Sequence, residues 1–177
     1  MILENGKIRI RNAAAGDAKI LAAWWNDGSV MAHAGFPNGL GITEEEIRVK
    51  IGQESDETVR RHIIEYEGRP IGEMNYRNLG ERQYEIGIKI CDAGMQNRGL
   101  GKVILTMFIR GLFEKFGCER IRLDTNLKNT RAQHVYEELG FRKMRTNLNS
   151  WKDQLGRDQS SVDYELTSED FRAFETV

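Results

Sequence analysis

Residues 95–102 read Met95-Gln96-Asn97-Arg98-Gly99-Leu100-Gly101-Lys102. They lie between an apolar-rich run, Tyr84-Glu85-Ile86-Gly87-Ile88-Lys89-Ile90-Cys91, and a long helical pattern. The order strand, glycine-containing turn, helix has a physical consequence. The first N–H groups of a helix lack internal partners, and the helix dipole adds partial positive charge at that end. Gly99 and Gly101 leave the backbone open to a phosphate, and Arg98 and Lys102 add full charges. The same glycines also suit a tight turn with solvated basic side chains. The spacing is neither that of a P-loop nor that of the G-x-G-x-x-G dinucleotide turn, so the stretch by itself leaves both readings open.

Toward the N-terminus, Gln83 to Cys91 is the last strand of an antiparallel meander. It is preceded by Ile71 to Asn78 and by Arg61 to Tyr66, with turns at Glu67-Gly68-Arg69-Pro70 and Leu79-Gly80-Glu81. Thr43 and Glu46 form a capping box, which predicts a helix running to about Gln53. The glycine-rich loop His33–Gly41, with Phe36 and Pro37, either borders a pocket or merely connects two helices. Asp17 to Trp25 reads as a helix carrying Ile20, Leu21, Trp24 and Trp25, and Lys7 to Arg11 alternates as a half-buried strand does.

Toward the C-terminus, Leu100, Val103, Ile104, Met107, Phe108 and Leu112 follow helical spacing up to Phe116-Gly117. A short strand covers Ile121 to Thr125. Ala132, Val135, Tyr136 and Leu139 then mark one face of another helix, stopped by Gly140. Phe141 to Asn147 and Ser161 to Leu166 read as two final strands joined by a polar loop around residues 151–159, and Thr167 to Asp170 can start a short terminal helix. No repeat, low-complexity segment or linker interrupts the chain. The reading is one domain, residues 1–177, of α/β class, with a largely antiparallel sheet and a βαβ unit in its second half.

The composition narrows the function classes. Of 177 residues, 40% are hydrophobic and 30% charged, which suits a folded, water-soluble domain. A formal net charge of −1 gives no broad basic field, so nucleic acid is not the expected partner and any phosphate site must be local. No apolar run reaches the ~20 residues of a membrane span, and residues 1–7 lack the pattern of a signal peptide. Cys91 and Cys118 are widely spaced, which suits a reduced, cytoplasmic setting and small buried apolar roles. His33, His62 and His134 lack metal-ligand spacing, and no metal is expected.

Gln96-x-x-Gly99-x-Gly101 at the opening of a helix resembles the pyrophosphate-binding motif of the Gcn5-related N-acetyltransferases. Asn129-x-x-Ala132-x-x-x-Tyr136-x-x-x-Gly140-Phe141 resembles their second signature. With Glu85-Ile86-Gly87-Ile88, the run is similar to the branch that includes ribosomal-protein N-terminal and polyamine acetyltransferases. Clear similarity covers about residues 82–145. One extra residue lies before Gln96, in Cys91 to Met95, relative to the commonest family spacing. The resemblance implies a twisted, mostly antiparallel sheet of about seven strands flanked by helices and splayed to admit acetyl-CoA between the strand ending near Cys91 and the strand at 121–126. It places the pantetheine arm against Ile88, Lys89 and Ile90. The pyrophosphate rests on Asn97, Arg98, Gly99, Leu100, Gly101 and Lys102, after Gln96, and Asn126 and Asn129 make further cofactor contacts. Homodimerisation is compatible with the resemblance.

Acetyl transfer to an amine needs a neutral amine, a polarised thioester carbonyl and a proton for the leaving thiolate. Glu85 is the first candidate base, because it is opposite in phase to Ile86, Ile88 and Ile90; as an ordinary strand carboxylate it would make a cross-strand ion pair instead. Asp124, five residues before Asn129, is the competitor, and Glu73 a weaker third. The resemblance makes Tyr136 the general acid, although its spacing alone fits a core aromatic. Asn129 also suits a helix N-cap. The expectation is direct transfer of an acetyl group in a ternary complex to a primary amine, a small molecule or a protein N-terminus. A non-catalytic acetyl-CoA-binding module of the same fold is the alternative. Glu44, Glu45, Glu46, Glu54, Asp56 and Glu57 could supply an acidic pocket for a cationic acceptor, or simply a solvated helix face.

Overall fold

Apolar residues at alternate positions give each strand two distinct faces, and the fold covers both. The computed structural model describes residues 1–175. Its strands are β1 (Leu3–Asn5), β2 (Ile8–Asn12), β3 (Val59–Tyr66), β4 (Arg69–Gly80), β5 (Gln83–Ile90), β6 (Arg120–Asn126), β7 (Arg142–Lys152) and β8 (Asp158–Thr167). Its helices are α1 (Ala18–Trp25), α2 (Gly28–Met31), α3 (Glu44–Gln53), α4 (Leu100–Phe116) and α5 (Thr130–Glu138). The strands form one sheet in the order β1-β2-β3-β4-β5-β6-β8-β7. Every pairing is antiparallel except that of β5 with β6, which α4 joins as a βαβ crossover.

The neighbours Ile63 and Ile64 on β3 show how the two faces divide. Ile64 joins Ile10, Met74, Tyr76, Tyr84, Ile86, Leu123 and Val162 under α4 and α5, where Phe108, Ile109 and Leu112 complete the core. Ile63 faces the other way, into a second cluster with Leu21, Trp24 and Trp25 of α1 and Ile47 and Ile51 of α3. Thr43 caps α3 as expected: its Oγ1 accepts from Glu46 N at 3.2 Å and Glu46 returns the bond to Thr43 N at 2.7 Å. Central β4 is buried on both faces from Ile71 to Met74. Its Glu73 accepts from Trp25 Nε1 at 2.7 Å and from Arg61 Nη1 at 3.0 Å, so the buried charge is paired and hydrogen-bonded.

One pairing is cut short. β5 and β6 match only at Gln83↔Arg120, Tyr84↔Ile121 and Glu85↔Arg122. Beyond these the strands diverge, while β5 stays paired to β4 as far as Ile90 and β6 to β8 as far as Asn126. Among the described residues, the backbone of Ile86 to Ile90 therefore has no strand partner on its β6 side. Gly72 keeps β4 close to this stretch: a Cβ there would stand 2.3 Å from the Lys89 carbonyl oxygen, a backbone atom that cannot step aside. Gly72→Ala is expected to destabilise the fold by about 3 kcal/mol, as an overpacked core position does, and a urea-melt midpoint equal to that of the native chain would refute this.

The described residues form eight strands, in keeping with the expected sheet of about seven, the three residues of β1 adding to the N-terminal hairpin. Two expectations are corrected. The last two strands are longer than read: β7 and β8 shorten the polar loop to residues 153–157. Finally, residues 168–170 form a turn, not the start of a helix. Asp170 accepts from Arg142 Nη2 at 2.8 Å and Thr167 Oγ1 at 3.2 Å, and its carbonyl crosses where a Cβ on Gly140 would be, 2.0 Å away. The tail is pulled flat against the end of α5, where Arg172 N donates to Leu139 O.

Candidate active site

The divergence of β5 and β6 opens a cavity of ≈ 410 Å³. Ile86, Gly87, Ile88 and Lys89 line one wall, and Leu123, Asp124, Thr125 and Asn126 the other. Leu105 of α4 and Asn129 and Tyr136 at α5 complete the inner side, while His33, Ala34, Trp151 and Ser161 complete the outer side. The loop after α2 thus borders the cavity through His33 and Ala34.

At one end of this opening the chain enters α4. Asp92 starts a 3-10 turn over Ala93–Met95 by accepting from Gly94 N, so the segment with the extra residue is compactly folded. Asn97 and Gly99 then take left-handed conformations, φ 63° and 73°, on either side of Arg98. Such alternation turns successive N–H groups toward one side and forms an anion-binding concavity. Among the described residues, no acceptor takes the N–H of Asn97, Arg98 or Gly99, and Leu100, Gly101 and Lys102 open the helix. A strand-like arm followed by a pyrophosphate fits these two features, the unpaired β5 backbone and the unpartnered N–H groups.

Not every predicted contact is free to serve. Gln96 Nε2 donates to Ile90 O at 2.9 Å, so Gln96 ties the loop to the end of β5. The Lys102 ammonium pairs with Glu138 and lies 4.9 Å from the centre of the Phe174 ring, leaving its backbone rather than its charge at the loop. Arg98 rests against Met95 Sδ. Asn129 caps α5 by accepting from Ala132 N at 3.2 Å and also lines the cavity, combining its two expected roles. Asn126 lines it too, held by Gln159 at 3.1 Å.

Asp124 and Tyr136 are brought together in the cavity; Glu85 is set outside its lining. Tyr136 is only 8% exposed, packed by Phe141 and Tyr164, yet among the described residues nothing hydrogen-bonds its hydroxyl. Tyr76 and Tyr164, by contrast, donate to Asp56 and Glu137. Burial, with Asp124 nearby, pushes the Tyr136 phenol up to about 12. No basic side chain pairs with Asp124 among the described residues. Desolvation, then the facing carboxylates of Glu85 and Asp163, raise its carboxyl above the ordinary range, against a smaller pull from Arg77. Glu85 makes the cross-strand pair, 2.6 Å from Arg77 Nη2. Glu73 is engaged by Trp25, Arg61 and Lys89.

The acidic segment around α3 does not reach the cavity. Glu44 and Glu45 pair with Arg48, Glu46 caps the helix, Glu54 holds Arg61 and Asp56 holds Arg60. The outer wall was not legible as a unit in the sequence. Trp151 and Gly35 meet there from opposite ends of the chain, and no local pattern records such a contact.

Comparison with known proteins gives this geometry a family. A family model described as an acetyltransferase (GNAT) domain matches residues 7–142, most of the chain. The chain belongs to the GNAT acetyltransferases. Aminoglycoside N(6')-acetyltransferase type 1 of Klebsiella pneumoniae is 25% identical to this GNAT chain over 158 residues, covering 80% of it and 77% of the relative. A spermidine N-acetyltransferase from Vibrio cholerae, solved in complex with CoA and spermine, superposes with a TM-score of 0.81 at 21% identity, covering 94% of this chain and 98% of that one. A GNAT-family acetyltransferase from Bacillus anthracis gives 0.78 at 20% identity, covering 96% and 99%. At these identities the solved structures speak for the GNAT fold, and the family implies acetyl-CoA binding in general terms.

Proposed function

We propose that the protein is an acetyl-CoA-dependent N-acetyltransferase that moves an acetyl group directly to a primary amine, with Asp124 as base and Tyr136 as acid. The observation that carries this reading is the convergence of the unpaired β5 backbone, an unpaired carboxylate and an unpartnered buried phenol on one cavity. Acetyl-CoA supplies the activated thioester carbonyl. The N–H groups of Asn97, Arg98 and Gly99 bind its pyrophosphate, and the backbone of Ile88 and Lys89 orients its arm. Asp124 takes a proton from the incoming ammonium, and its raised affinity for protons suits that task better than an ordinary carboxylate. As the amine nitrogen bonds to the acyl carbon and the carbon–sulfur bond breaks, Tyr136 gives its proton to the departing sulfur, and the second proton shed by the acylated nitrogen restores the phenol, leaving a neutral amide and the free thiol. A phenol held near 12 is protonated at neutral pH. Burial pushes the Cys91 thiol to about 12 and the Cys118 thiol to about 11, so neither offers a thiolate acyl carrier.

The substrates in the names of these two relatives, an aminoglycoside and spermidine, favour a small polyamine-like acceptor over a protein N-terminus. The test is thermal unfolding with acetyl-CoA, with NAD and ATP as controls, followed by CoA release from an amine panel. At ~100 times its dissociation constant acetyl-CoA should add about 2.7 kcal/mol of stability. No shift would end the reading. A shift without CoA release from any amine would turn it into a cofactor-binding module.

A further inference from the structure

The outer wall of the cavity is a joint between two distant parts of the chain. The tip of the β7–β8 hairpin reaches over to the loop after α2. There Gln154 N donates to Gly35 O at 2.8 Å, Asn38 N donates to Gln154 Oε1 at 2.9 Å, and Gln154 Nε2 donates to Gly39 O at 2.9 Å. One residue therefore ties three backbone positions of the loop, one through its backbone N–H and two through its side-chain amide. Trp151 sits on the same joint, its ring against Gly35, where a Cβ would be 2.4 Å from the ring. Gly35 is also left-handed, φ 95°, so glycine is demanded there twice over. Trp151 is thus seated on Gly35 and lines the cavity.

The charge inside the cavity is one-sided. The lining cation, Lys89, is turned aside, its Nζ 2.9 Å from Met31 Sδ and 4.0 Å from Glu73. Asp124 has no such partner. Glu85, Asp163 and Arg77 are the charged groups that face it, with Glu85 held by Arg77 and Asp163 near Arg145 at 3.9 Å. An unpaired carboxylate and the face of an indole together attract a cation, the carboxylate by charge and the ring by its quadrupole. The joint forms the wall of this part of the cavity through His33, Ala34 and Trp151, and ≈ 410 Å³ is at the small end of ligand pockets.

We infer that Trp151, seated on Gly35 and locked by Gln154, is the acceptor-selecting wall, and that with Asp124 it selects a cationic primary amine on a slender aliphatic stem. The inference rests on the acetyltransferase reading above and assigns its acceptor class. An amine flanked by bulk, such as a peptide N-terminus, meets the ring and the joint before it reaches Asp124.

The experiment combines steady-state kinetics with calorimetric titration of putrescine, butylamine and a short peptide with a free N-terminus into the CoA-loaded protein. Native chain, Trp151→Ala, Trp151→Phe and Gln154→Ala are compared. Trp151→Ala should raise KM and Kd for the two alkylamines roughly tenfold, as loss of a desolvated ring contact does, with kcat and acetyl-CoA affinity little changed. Trp151→Phe should restore most of the loss, and Gln154→Ala should lower the preference for alkylamine over peptide. Alkylamine KM and Kd unmoved in Trp151→Ala, with turnover intact, would overturn the inference and leave the acetyltransferase reading standing. A native chain that turns over the peptide better than the alkylamines would also overturn it. Binding of CoA with neither binding nor turnover of any amine would overturn both.

Discussion

Asp124→Asn is expected to release CoA at least about 100-fold more slowly than the native chain, the scale of losing a positioned general base. The same variant should melt at a higher temperature at neutral pH. The two effects share a cause. Asp124 is desolvated in the cavity wall and faces Glu85 and Asp163, so its carboxyl is raised in the folded protein. A raised carboxyl contributes stability that is fully present below its unfolded value, and that contribution is lost as pH rises through the folded value. At neutral pH the native state therefore holds a charge it would be more stable without, and asparagine removes it. The difference in melting temperature should vanish below pH about 4, where aspartate is neutral in both states. The native rate should fall as pH drops through the raised value, above the usual carboxylate range, and the variant should lack that limb. Equal rates in the two proteins would remove Asp124 from the chemistry. A Glu85→Gln variant that loses the limb instead would return the role to Glu85.

Tyr136→Phe is the second large effect. Phenylalanine keeps the ring between Phe141 and Tyr164, whose centroids are both 5.8 Å away. It removes only a hydroxyl that has no hydrogen-bond partner among the described residues, so stability should hold. Turnover should fall roughly tenfold or more, because the departing sulfur loses its proton donor, while acetyl-CoA affinity measured by titration stays close to native. Affinity and rate falling together would mean that the hydroxyl positions the cofactor rather than serving as an acid.

The meander, α3, the glycine turn and both helices of the second half were legible because each rests on short-range chemistry: alternation, a capping box, a left-handed glycine, an apolar helical face. The opening between β5 and β6 was legible only through the family resemblance. Two readings failed for physical reasons. β7 shows no apolar alternation because it is exposed on both faces over most of its length, so only its first residues read as strand. Thr167 to Asp170 carries a helix-start signature, but the same polar groups are taken by Arg142 and by the close passage over Gly140. The phase of Glu85 was right, yet phase alone does not reveal that Arg77 stands opposite on β4. The environment of Asp124 is assembled by residues from β5, β6 and β8, separated too far along the chain for spacing to predict it.

An eight-stranded sheet normally has two edges, and the gap between β5 and β6 adds two more. The outer edges are blunted. β1 has only three residues, and β7 carries Arg142, Lys143, Arg145 and Lys152, two register shifts and a left-handed Asn149, all of which discourage pairing with a foreign strand. The inner edges carry Ile86, Ile88 and Leu123 beside Lys89 and Asp124. The backbone most able to recruit another chain thus lines the cavity inside the sheet rather than its perimeter. Open backbone that would invite aggregation on the perimeter becomes a docking strip for a single thin molecule.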